Sequence, residues 1–168
     1  QAFIEANQKQ PFFLYVPYTM PHVPLFTDEA FVGASAAGLY GDVIEEIDWS
    51  VGQILNTLRI QGLDKQTIVL FTSDNGPWLV YRQQGGSAGL LQQGKATTFE
   101  GGMRVPAIFW WPGTISPATV HEIGSTLDVF TTAITLTDGA VPADRPIDSL
   151  DLTPVLLQTG ASPRNTMP

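Results

Sequence analysis

Residues 67–77 read Thr-Ile-Val-Leu-Phe-Thr-Ser-Asp-Asn-Gly-Pro, and this stretch decides the fold. Thr67 to Thr72 is a continuous β-branched and apolar run, the pattern of a strand buried on both faces in a parallel sheet. Ser73 to Gly76 are small and polar, and they sit just past that strand's carboxyl end, where open α/β sheets place their ligands. Upstream, Tyr40, Ile44, Ile47, Val51, Ile54, Leu55 and Leu58 recur at three- and four-residue spacing. That spacing predicts an amphipathic helix, with Asp42, Glu45 and Glu46 near its start and Gly62 placed to stop it. Further upstream, Phe12 to Val16 is a short apolar run between Pro11 and Pro17 and reads as another buried strand. The prolines at 17, 21 and 24 make Pro17 to Phe26 a loop leaving it. Downstream, Val105 to Trp111 returns to strand character before Pro112-Gly113, and Asp128 to Thr137 predicts a second helix closed by Gly139. Strands alternating with helices imply an α/β sheet with helices on its faces.

Composition narrows the classes of function. The 168 residues hold 8 basic and 16 acidic side chains, a net charge of −8. Eight scattered cations cannot supply the surface that nucleic-acid phosphates require, so no nucleic acid is expected as a partner. A 43% apolar content excludes intrinsic disorder. Only 14% of residues are charged, against roughly 25% in an average soluble domain, which points to unusually buried elements or to a missing neighbour. No apolar stretch approaches 18 residues, so no transmembrane segment is expected. Cysteine is absent, which removes disulfides, thiolate metal sites and a Cys nucleophile from these residues. The start at Gln1 suggests a piece of something longer. Its expected organisation is one partial domain over residues 1–168: sheet, helices and active-site loops over 10–140, then a Pro- and Asp-rich tail over 141–168.

Four residues are candidates for chemistry. Asp74 and Asn75 offer a carboxylate and an amide oxygen, hard donors suited to Ca²⁺ or Mg²⁺, but from spacing alone Asp-Asn-Gly reads first as a favoured tight turn. His22, in Met-Pro-His-Val-Pro, lies just past the first expected strand, and its flanking prolines suit a positioned acid or base. Lys95 lies in a stretch from Gly76 to Arg104 whose 29 residues include seven glycines, a length that is usually functional or disordered inside a compact domain. The run Gly89 to Ala96 nearly matches a phosphate-binding P-loop. Ala96 stands where that motif needs Ser or Thr, and Gly101-Gly102 interrupt the helix it needs, so the match is a coincidence. An exposed loop lysine and a surface histidine remain the bland alternatives for Lys95 and His22. His121 has no suggested partner, and Ser162 beside Arg164 has no base near it in sequence.

Taken together, the runs FTSDNGP (Phe71 to Pro77), GGSAGLLQQGKATTFEGGMRVPA (Gly85 to Ala107) and WWPG (Trp110 to Gly113) resemble the type I sulfatases of the alkaline-phosphatase-like superfamily. PFFLYVPYTMPHVP, YGDVIEEIDWSVGQIL and HEIGSTLDVFTT are similar to the same family, in order, over about residues 10 to 160. The branch they most resemble is that of arylsulfatase A and N-acetylgalactosamine-6-sulfatase. The resemblance implies an alkaline-phosphatase-like α/β fold and sulfate-ester hydrolysis. It implies that Asp74 and Asn75 belong to the Ca²⁺ site, that Lys95 contacts the sulfate ester, and that His22 assists the leaving oxygen.

The resemblance also implies what these residues lack. The family's nucleophile is a formylglycine made from Cys or Ser in a Cys/Ser-x-Pro-x-Arg motif, which this sequence does not contain. Further Asp ligands for Ca²⁺ belong to the same missing part. The chain is therefore expected to be a catalytically incomplete piece of a sulfatase, with its N-terminal strands absent and half an active site. Open strand edges should promote homo-oligomers or self-association. The alternatives are a non-catalytic binding or assembly module, and a phosphodiesterase of the same superfamily. A periplasmic, secreted or lysosomal parent is the family expectation.

Overall fold

The structure is a computed structural model that describes residues 1–167; Pro168, the end of the expected tail, lies outside the described residues. By packing it divides into two compact units, one of residues 1–67 and 71–108, the other of residues 68–70 and those from 109 onward.

The first unit is organised by a long helix. A short helix α1 (Ala2–Asn7) opens the chain, and α2 spans Gly38–Ile60. The periodicity located α2, but its buried stripe is turned by one residue. Val43 is 1% exposed whereas Ile44, expected in the stripe, is 41% exposed. Val43, Ile47 and Val51 stand four residues apart on one face, and they pack with Leu25, Met20, Val23, Tyr40 and Phe71. Burying a side chain such as Val43 stabilises by about 1.5–3 kcal/mol. Asp42, buried at the start of α2, accepts the backbone N–H groups of Ser35 at 2.8 Å and Gly33 at 3.0 Å. These bonds hold its carboxyl below the ordinary carboxylate range and tie the entering loop to the helix.

Gly62 ends α2 as expected. It adopts φ +67°, Leu63 N–H reaches back to the Leu58 carbonyl at 2.8 Å, and Gly62 N–H bonds the Arg59 carbonyl at 3.0 Å. This paired arrangement caps the last turn and needs the left-handed conformation that glycine adopts without penalty.

Two strands follow, β1 (Val69–Thr72) and β2 (Ala107–Trp110), and they pair with each other. Both lie where the sequence placed them. The four residues of β1 are half-buried rather than buried on both faces, because among the described residues its sheet has two strands. The expected strand over Phe12 to Val16 is not formed. Residues 11–19 carry no regular structure, with Phe13 82% and Tyr15 75% exposed. A strand exists by virtue of a partner for its N–H and C=O groups, and among the described residues this segment has none.

The second unit contains α4 (Asp128–Leu136) and the short α5 (Thr153–Leu156); α3 (Glu100–Met103) belongs to the first. Helix α4 ends at Leu136, one residue short of the expected Thr137 and three before Gly139. Asp138 takes the left-handed position at φ +55°, and Gly139 N–H then bonds the Ile134 carbonyl at 2.9 Å. Aspartate tolerates that conformation better than most residues. Between residues 141 and 167 the chain is mostly exposed, but it contributes buried residues to this unit. Leu152, Val155 and Leu156 form its buried cluster with Ile68, Phe109, Ile115 and Leu136 against them.

The same unit holds an ion pair that sequence reading did not anticipate. Asp128 is 0% exposed and receives Arg164 Nε at 2.7 Å and a second Arg164 nitrogen at 2.5 Å. The backbone N–H groups of Ser125 and Leu150 donate to the same carboxylate, each at 2.8 Å. Burial pushes the Asp128 carboxyl up, but the hydrogen bonds from Arg164, Leu150 and Ser125 prevail and leave it below the ordinary range. Ser162 donates its hydroxyl to the Ile123 carbonyl at 2.6 Å and accepts the Arg164 N–H at 3.0 Å, so it serves this scaffold.

Candidate active site

All four candidate residues fall in the first unit, and three of them lie on two loops that share backbone hydrogen bonds. The first loop leaves β1. Thr72 donates its hydroxyl to the Pro106 carbonyl at 3.0 Å, and Ser73 donates to the Asn75 carbonyl at 3.0 Å, closing the turn that presents Asp74 and Asn75. The second runs from Gln92 to Gly102. Lys95 N–H bonds the Pro77 carbonyl at 2.8 Å, Gly76 N–H bonds the Gly102 carbonyl at 3.0 Å, and Gly101 N–H bonds the Gln92 carbonyl at 2.8 Å.

This close approach explains two of the glycines. A Cβ on Gly76 would land on the Gly101 carbonyl, and one on Gly94 would land on the Pro77 carbonyl. The glycine-rich stretch is therefore a set of backbone contacts that side chains would separate, not a phosphate cradle. It contains a 3₁₀ segment over Leu79–Gln84 as well as α3.

His22 and Lys95 meet on one side chain. The Lys95 Nζ lies 5.1 Å from the centroid of the Trp78 ring, within the range of a cation–π contact. The His22 ring centroid lies 5.6 Å from that of Trp78, at an interplanar angle of 53°. Tyr81 meets the same indole edge-on at 4.8 Å. His22 Nδ1 is 2.7 Å from the Val23 carbonyl. A carbonyl only accepts, so in the neutral ring Nδ1 carries the proton and Nε2 is the nitrogen that can take up and give a second one.

Asp74 is exposed and Asn75 half-buried, and among the described residues neither side chain makes a hydrogen bond. Two free hard oxygens suit a divalent cation, but no group of three or more His, Cys, Asp or Glu able to hold one occurs among the described residues. Ca²⁺ takes six to eight oxygens, so Asp74 and Asn75 fit such an ion as part of its shell and not as the whole. The sequence did not flag Trp78. Its only local signal is an aromatic residue directly after Asp-Asn-Gly-Pro.

Comparison with known proteins identifies the family. The Sulfatase family profile matches residues 1–140. The chain belongs to the sulfatase family. This sulfatase chain is 50% identical to N-acetylgalactosamine-6-sulfatase of Rattus norvegicus over 153 residues, 90% of the chain and 29% of that protein. It is 44% identical to arylsulfatase A of Bos taurus over 161 residues, 96% of the chain and 32% of that protein. The PsFucS1 sulfatase of Pseudoalteromonas sp. superposes with a TM-score of 0.89 at 31% identity, over 97% of this chain and 34% of that one. The sulfatase chain thus has the fold the sequence implied, and it spans about a third or less of the length of these relatives.

Proposed function

We propose that this chain supplies part of the active site of an enzyme that hydrolyses sulfate esters, with His22, Lys95, Asp74 and Asn75 as its working residues. The convergence of His22 and Lys95 on Trp78 carries this reading. Breaking a sulfate ester develops negative charge on the sulfuryl oxygens and on the departing oxygen. A lysine fixed near the sulfuryl group stabilises the first, and an imidazole that releases a proton from Nε2 stabilises the second. Asp74 Oδ and Asn75 Oδ1 would hold part of a Ca²⁺ shell, and that ion supplies further positive charge against the sulfuryl oxygens. The nucleophile, a formylglycine in this family, comes from outside these 168 residues, so the isolated chain is expected to be inactive. The names of the relatives favour a 6-sulfated galactosamine or an aryl sulfate as substrate.

The test is sulfate release by the full-length protein from an aryl sulfate and from N-acetylgalactosamine 6-sulfate, with and without a Ca²⁺ chelator. An aryl phosphate is run in parallel. Turnover of a sulfate ester, lowered by the chelator, is expected. Preference for the phosphate would support a phosphodiesterase instead, and binding without turnover of either would support a non-catalytic module. The exposed segment with Phe13 and Tyr15 supports a companion proposal, that the 168 residues alone self-associate. Light scattering that shows a monomer at micromolar concentration would refute it.

A further inference from the structure

We propose that Trp78 is the positioning residue of this site, holding the Lys95 ammonium and the His22 imidazole in place for sulfuryl transfer. The proposal rests on the function proposed above and extends it to a residue that carries no charge.

Lysine is flexible, and its ammonium normally finds either water or a carboxylate. Lys95 is half-buried, and none of the ion pairs among the described residues involves it. Its backbone is fixed by the 2.8 Å bond from Lys95 N–H to the Pro77 carbonyl. That bond places the residue after Pro77 beside the root of the lysine side chain, and the ammonium lies over its ring at 5.1 Å. The aromatic face does something a carboxylate partner could not. It orients the cation while leaving its full charge for an anionic substrate, and indole is the strongest of the aromatic partners for a cation.

His22 is fixed in the same way from the opposite direction in sequence. One ring nitrogen is engaged by the Val23 carbonyl, and the ring packs on the indole. Tyr81, edge-on to Trp78, in turn limits the rotation of the indole. A proton donor and a cation from residues 22 and 95 are thereby referred to a single rigid plane.

The experiment compares Trp78→Phe and Trp78→Leu with the wild type in the full-length protein. Lysine is labelled with ¹³C at Cε, and the Lys95 resonance is identified by its loss in Lys95→Arg. Ring current should shift the Lys95 ε-CH₂ protons upfield in the wild type, less in Trp78→Phe, and not at all in Trp78→Leu. With an aryl sulfate, Trp78→Leu should lower kcat by about tenfold, the scale of a partly desolvated cation–π contact. Trp78→Phe should stay within about threefold of wild type. In a Lys95→Ala background, Trp78→Leu should then cost much less than it does alone.

An unshifted Lys95 resonance in the wild type overturns the proposal whatever the activity, and this measurement needs neither Trp78 variant to fold. A Trp78→Leu enzyme within twofold of wild type, or a loss that moves KM alone, overturns it as well. A shifted Lys95 in a wild-type protein that hydrolyses no sulfate ester overturns the proposed function instead, and leaves the Trp78–Lys95 contact established.

Discussion

Two aspartates, Asp128 and Asp74, show how differently this chain uses charge. Asp128 is fully buried and saturated: Arg164, Ser125 and Leu150 all donate to it. Asp74 is exposed, and its carboxylate accepts nothing among the described residues. The cations follow the same division. Arg164 is consumed by its carboxylate and by the Asp148 carbonyl, whereas Lys95 rests on an aromatic face with its charge unspent. A satisfied buried network fixes structure, and removing one member strands the other. Charges left with unfilled coordination are available to a ligand. The difference separates ionisable residues spent on the scaffold from those left free for the chemistry proposed above.

The strongest way to break this comparison is Arg164→Ala. Stranding Asp128 should destabilise the protein at least as much as truncating a core residue of the same unit. Leu156→Ala, which removes a side chain only 8% exposed, is the yardstick at about 2–5 kcal/mol. Denaturant midpoints of the two variants decide the order, and an Arg164→Ala midpoint at wild type would contradict a structural role for the pair.

Lys95→Ala should do the reverse. Turnover of a sulfate ester by the full-length protein should fall on the order of a hundredfold, as loss of a charged oxyanion contact does. Its denaturant midpoint should barely move. A large loss of stability with little loss of turnover would place Lys95 in the scaffold.

Acid sharpens the contrast further. Folding lowers the carboxyl pKa of both Asp128 and Asp42 below the ordinary 3.8. Their contribution is therefore complete above that value and is lost as pH falls through the lower folded values. Stability should decline below about pH 4. Asp128→Asn, less stable throughout, should show a shallower decline, measured by unfolding midpoints across pH 2 to 6. The smallest effect is expected at the exposed pair of Glu100 and Arg104, 3.2 Å apart with each side chain 66% exposed. Glu100→Gln should change stability by about 0.5 kcal/mol or less, by the same midpoint assay.

Much of the fold was legible because it is locally encoded. The three- and four-residue spacing from Tyr40 to Leu58 located α2, and Gly62 ended it by a cap that involves only neighbouring residues. The apolar runs at Thr67 to Thr72 and Val105 to Trp111 located both strands. Periodicity was blind where two faces of α2 are almost equally apolar, and so it took Ile44 for Val43. It failed at Phe12 to Val16, where strand-like composition cannot supply a partner strand. At the site, Asp74, Asn75, Lys95 and His22 were singled out by residue type and by family resemblance. Trp78 was not, since a lone aromatic carries no periodic signal.

By itself, then, the sequence determined helices α2 and α4, strands β1 and β2, the glycines that let two loops touch, and the sulfatase family that the profile match bears out. Each of these is written within a few tens of residues, in spacing, turn chemistry or a contiguous motif. Only the tertiary structure decided that residues 22, 78 and 95 share one contact and that Asp128 and Arg164 form a buried pair. Those pairings join positions far apart along the chain. Their stability depends on burial and geometry that exist only once the chain has packed, so no local pattern records them.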